Sequence, residues 1–133
     1  MRPQADATVQ AWLDEQVAES LFLTATSFSE LLLGLEILPD GRRKERFQLA
    51  LTRLLIRLFG PRLLPFDIEA AKVYAPLMAH ARGKGHTISV ADGQIAAIAA
   101  SHGFIVATRD TEPFLAVGVP VINPWKGSET INN

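Results

Sequence analysis

The 133-residue chain reads as one α/β domain in which short parallel strands are covered by helices. Short apolar runs at 21–25, 104–108 and 119–122 alternate with longer stretches of helical periodicity. Turn residues punctuate the alternation at Pro39-Asp40-Gly41, Gly60-Pro61, Gly83-Lys84-Gly85 and Gly103. Three acids, Glu30, Asp92 and Asp110, each fall where a predicted strand ends or a predicted helix begins. That recurrence is how an open parallel sheet gathers carboxylates from distant sequence onto one edge.

Composition narrows the function classes. Apolar residues make up 48% and charged residues 20%, a globular balance. Net charge is −1, so any binding of a polyanion must come from a local patch. The absence of cysteine excludes disulfides, thiolate zinc and a cysteine nucleophile, and suits a reducing cytoplasm. No run reaches the roughly 18 apolar residues of a spanning helix, and the start lacks a secretory pattern. A cytoplasmic protein with no membrane partner is expected.

Each element has a local reason. Val9, Trp12, Leu13 and Val17 keep helical spacing, which predicts a helix over 5–16 with Asp6 as its N-cap. Residues 21–25 suit a buried strand, and 27–38 an amphipathic helix ended by the Pro39 turn. The next helix, 42–59, places Arg43, Arg46, Arg53 and Arg57 on one narrow stripe. Phe47, Leu51, Leu54, Leu55, Ile56 and Leu58 cover most of the rest, so this helix is expected to be buried on more than one side, by the fold or by a partner. Asp67 caps a helix running through Ala81. Asp92 opens a small-residue helix over 94–101 whose alanines allow close packing. Strands at 104–108 and 119–122 follow, and the polar tail 126–133 is expected to be loose.

Magnesium and manganese take oxygen ligands and keep several waters, so a few converging carboxylates suffice to hold one. Phosphodiester hydrolysis is a natural use of such an ion. No competing centre is present: there is no G-x-S-x-G elbow, and Gly83-Lys84-Gly85-His86 lacks the glycine and hydroxyl of a P-loop.

Glu30 in SFSELLLG, Asp92 in SVADGQIAAIAASHG and Asp110 in VATRDTEPF, with the ending VPVINPW, resemble the PIN-domain ribonucleases, and most nearly the VapC-type toxins of bacterial toxin–antitoxin pairs. The likeness covers about 1–125, which is expected to form the domain, with 126–133 as its tail. It implies a parallel sheet with helices on both faces, acids that bind Mg²⁺ or Mn²⁺, cleavage of RNA, a cognate antitoxin that blocks the site, and a homodimer. Matched by position, Glu30, Asp92 and Asp110 are the metal ligands, and Thr108 supplies a hydroxyl two residues before the last acid. The departure is at the front. Members of the family begin with a central strand ending in an Asp-Thr-Asn-like motif that supplies the first metal-binding aspartate, whereas this chain begins at Met1-Arg2-Pro3-Gln4. Asp6 and Asp14 fall in or at the first helix and do not replace that acid. Either Met1 is an internal methionine of a longer reading frame, which is the favoured expectation, or the product is truly truncated. As written, the fold is truncated at its first strand and the site lacks one ligand.

Blander readings accompany each residue. Asp92 is also an ordinary helix cap, Glu30 a first-turn acid favoured by the helix dipole, and Asp110 a turn residue. The arginine stripe is either a contact for RNA phosphates or the solvated face of its helix. His80, His86 and His102 suit no zinc spacing and are expected at the surface or an interface. Trp12 and Trp125 read as core or partner contacts. The alternative to a nuclease is a catalytically inactive remnant that binds antitoxin or a sister subunit through its apolar helices.

Overall fold

The computed structural model describes residues 3–126 and 130–131. In chain order these form α1 (Pro3–Glu15), β1 (Leu23–Thr24), α2 (Ala25–Glu36), α3 (Arg42–Phe59), β2 (Leu63–Leu64), α4 (Ile68–Gly83), α5 (Val90–His102), β3 (Val106–Ala107), α6 (Glu112–Ala116), β4 (Val121–Ile122) and β5 (Thr130–Ile131). The helix–strand alternation expected from sequence is present, and the strands β1–β2 and β3–β4 pair in parallel. The sheet, however, is in two pieces: β1 pairs only with β2, and β3 heads the separate order β3-β4-β5. The tail expected to be loose contributes β5, which runs antiparallel along β4 with Val121 opposite Ile131. An edge strand such as β4 offers unpaired backbone groups that even a short polar segment can satisfy.

Helix boundaries follow local chemistry, with two corrections. α1 begins at Pro3, so Asp6 lies inside the helix rather than capping it. Proline is well placed there because the first turn has no use for its missing N–H. The second correction concerns α5, which starts two residues before Asp92, at Val90. Its N-cap is Ser89, whose hydroxyl accepts from the backbone N–H of Asp92 at 3.1 Å. The expected Asp67 cap is present, accepting from Ala70 N–H at 2.9 Å, and Thr24 caps α2 through Ser27 N–H at 2.9 Å. Gly103 closes α5 in the left-handed region at φ 70°, where a side chain would be strained.

The core gathers around α5. Ala96, Ala97 and Ile98 are fully buried, and Ala81 from α4, Val106, Phe114, Val119 and Val121 pack about this helix. Small residues let α4 and α5 approach closely. A Cβ added at Gly93 would lie 2.7 Å from Met78 Sδ and 2.9 Å from Tyr74 Cε2, so the glycine after Asp92 is required by packing. The helix α6 was not foreseen in the sequence. Its five residues are too few for a periodic signal, and they are held by burial of Phe114.

The apolar girth of α3 meets a different outcome from burial on several sides. Only Leu55 is buried, while Phe47, Ile56 and Leu58 remain 50% or more exposed. The fold thus leaves most of the apolar surface of this helix open. The arginines of the stripe, Arg43, Arg46, Arg53 and Arg57, are all exposed.

Candidate active site

Two contacts orient the half-sheets. Phe22, just before β1, stacks on Phe104, just before β3, with ring centroids 4.5 Å apart. At the other end, the Thr26 hydroxyl in the first turn of α2 donates to Gln94 Oε1 in the first turns of α5 at 3.1 Å. Since α5 ends where β3 begins and packs back along it, its N-terminus lies beyond the C-terminal end of β3. With both ends matched, β1 and β3 run the same way. The C-terminal edge of both half-sheets therefore meets the N-termini of α2 and α5, where ligands gather in open parallel sheets.

Each of the three sequence-predicted acids follows in the chain an element end on that edge. Glu30 is one turn beyond Thr26 on α2 and is exposed. Asp92 is the third residue of α5 and half-exposed. Because Ser89 is the cap, the Asp92 carboxylate is not consumed by backbone N–H groups. The bland reading of Asp92 as a cap is thereby replaced. Removing that cap gives a clean check: Ser89→Ala is expected to lower stability by about 1 kcal/mol and the thermal midpoint by about 3 °C. An unchanged midpoint in a melting curve would return the capping role to Asp92.

Asp110 follows β3 on an exposed stretch whose position is set from below. Thr108, half-buried, donates its backbone N–H to Ile122 O at 3.0 Å, extending the β3–β4 ladder. Asn123, the one buried polar residue among those described, donates Nδ2–H to Arg109 O at 3.3 Å and accepts from Trp125 N–H at 2.9 Å. The Arg109 guanidinium lies over the Trp125 ring at 5.7 Å. The NPW ending therefore clamps the loop that carries Asp110. The sequence signal for Asn123 was its place in that ending, but which loop it holds is a tertiary fact.

The donor types suit a hard divalent cation, and they share an edge. They do not close around one point: among the described residues no three His, Asp or Glu side chains stand together closely enough to hold a metal ion. The histidines add nothing here; His80, His86 and His102 are exposed, and His102 stacks on Phe104 at 5.2 Å. Asp14 accepts from Gln10 at 2.9 Å on α1 and takes no part. No described helix is long and apolar enough to cross a membrane.

Comparison with known proteins agrees with this geometry. Residues 2–119 match the family described as PIN domain. The chain is 46% identical over 125 residues to VapC ribonuclease Y4jK of Sinorhizobium fredii, covering 94% of this chain and 89% of that protein. It is 42% identical over 125 residues to toxin FitB of Neisseria gonorrhoeae, covering 94% and 90%. Among solved structures, FitAcB from Neisseria gonorrhoeae superposes with a TM-score of 0.86 at 43% identity, covering 93% of this chain and 89% of that one. A FitAB complex bound to a DNA fragment gives a TM-score of 0.86 at 41% identity, covering 93% and 87%. These likenesses along nearly the whole chain place the protein in the PIN-domain family, among the relatives of the VapC and FitB toxins.

Proposed function

We propose that this chain is the toxin half of a toxin–antitoxin pair and a metal-dependent endoribonuclease of the cytoplasm, with Glu30, Asp92 and Asp110 as its carboxylate set. Mg²⁺ or Mn²⁺ is the cation, and the Thr108 hydroxyl orients a group beside Asp110. The observation that carries this reading is the Ser89 cap, which leaves the Asp92 carboxylate free on the edge it shares with the other two acids. A divalent ion supplies charge neutralisation at a phosphodiester. The residues supply negative charge, an Asp110 loop held by Asn123 and a rigid α5. Since the carboxylates stop short of closing, weak cation binding and slow turnover are expected. Incubation with structured RNA in Mg²⁺ should give slow internal cleavage that falls at least about tenfold with EDTA. Cleavage indifferent to EDTA would remove the metal from the reading.

A second reading rests on a separate observation. Leu33 on α2 and Ile37 just after it are 62% and 75% exposed, and α2 packs against α3, which carries open apolar residues of its own. Patches of this kind mark protein interfaces. We infer that this face receives the antitoxin or a sister subunit, as the FitAB and VapBC complexes suggest for their own chains. Capture of an antitoxin by a chain with no EDTA-sensitive cleavage would favour the inactive binder over the nuclease.

A further inference from the structure

Charge is unevenly spread over this chain. Helix α3 carries Arg42, Arg43, Lys44, Arg46, Arg53 and Arg57 against the single acid Glu45, in a chain whose net charge is −1. At about 100° per residue, the side of α3 that packs on the fold holds Lys44, Gln48, Leu51, Thr52 and Leu55, none of them exposed. Arg43, Arg46, Arg53 and Arg57 centre on the opposite side. Lys44 and Gln48 reach Glu36 of α2, so the four arginines face away from α2 and its Glu30. Lys44 also meets Asp40, whereas among the described residues none of the four arginines has an ion pair or a side-chain hydrogen bond. Arg43 and Arg46 are three apart and Arg53 and Arg57 four apart, like-charge spacings that cost a helix stability until an anion relieves them. From Arg43 to Arg57 the stripe is about 21 Å long. One strand of a B-form duplex carries a phosphate per about 3.4 Å of axis, so a stripe of this length runs beside about six phosphates. At the Arg43 end, Leu38, Pro39, Arg43 and Phe47 help to line an open pocket of about 440 Å³, and Phe47 is 57% exposed. An open ring beside cations is a platform on which a splayed base stacks.

We propose that the outer face of α3 is a second binding site, apart from the acids, for structured RNA. The arginine stripe takes the phosphates of one strand, and Phe47 stacks one unpaired base. It rests on the reading that this chain acts on RNA, but on neither the metal nor the cleavage. Guanidinium forks match phosphate oxygens two at a time, which gives affinity without regard to sequence. The pocket at Phe47 adds a preference for RNA with an unstacked base over a continuous duplex. Other occupants suit this face less well. A second copy meeting it stripe to stripe would set arginine against arginine. A bilayer surface calls for one continuous apolar face, whereas here the arginines divide Leu49 and Ile56 from Phe47, Leu54 and Leu58.

The test is fluorescence anisotropy of a labelled RNA hairpin with an unpaired loop, titrated with the whole chain in EDTA so that nothing is cut. Binding should saturate and weaken steeply with salt. Arg53→Gln with Arg57→Gln should lower affinity at least about tenfold at about 0.1 M salt and lessen the log–log salt slope by about 1.5. Both side chains are exposed, so the thermal midpoint should stay within about 2 °C. Arg82→Gln with Lys84→Gln makes the same change of charge at the exposed end of α4, and should keep affinity within about twofold. Phe47→Ala should weaken the hairpin at least about fivefold and leave a fully paired duplex unaffected. Asp92→Asn should bind as the wild type does, which separates this site from the acids. Equal losses from the α3 and α4 pairs, or an unaltered slope in the α3 pair, overturn the proposal. Polyglutamate bound more tightly than RNA, and weakened by the same α3 substitutions, assigns the stripe to an acidic protein and overturns it too. Absence of cleavage with this binding pattern intact counts against the nuclease reading alone.

Discussion

Asp92→Asn is expected to abolish EDTA-sensitive RNA cleavage, by about a hundredfold or more, while the protein stays folded. Loss of a partner that merely orients a metal ligand costs about 10- to 100-fold, and loss of a ligand's charge costs no less. The substitution keeps the shape of the side chain. Its structural penalty is bounded by the loss of one negative charge in the first turn of α5, about 0.3–1 kcal/mol. The hydroxyl of Ser89 still caps the helix, so the melting midpoint should fall by no more than about 3 °C. Activity measured on one RNA, with wild type and variant side by side at matched folded fraction, decides the point. Cleavage that persists undiminished in Asp92→Asn would falsify the carboxylate site.

Phe114→Ala is expected to be the most destabilising truncation in the domain, at about 3–5 kcal/mol. The ring is 3% exposed and lies in the core cluster with Ala96, Ala99, Val106 and Val121. It is also the only buried side chain that ties α6 down, and the Phe114 carbonyl accepts from Val119 N–H at 3.0 Å where the chain turns into β4. Truncation therefore leaves a cavity and loosens the connection between β3 and β4. A fall of about 10 °C or more in the thermal midpoint is the expected reading, with Phe114→Leu intermediate. A loss under about 1 kcal/mol would mean that α6 contributes little to the core.

Sequence patterns located most elements because their signals are local. The α3 span of 42–59 was found to the residue, since Gly41 and Gly60 bracket one long apolar period. The Asp67 cap was legible for the same reason. Strands were placed but overestimated: 104–108 contains only two ladder residues, Val106 and Ala107. Apolar runs report burial, and burial extends beyond hydrogen-bonded pairing. The Asp92 cap was misassigned because serine and aspartate compete for that role, and three residues separate Ser89 from Asp92.

The amino-acid order by itself determined the fold class, which follows from periodicity and turn chemistry, and the family, which follows from short motifs. Tertiary structure alone decided that the sheet splits into two pieces around a cavity, that the NPW ending grips the Asp110 loop, and that the described acids do not close on a point. Those outcomes depend on how segments far apart in the chain approach one another. Approach distances are set by packing of the whole domain, which no local pattern encodes.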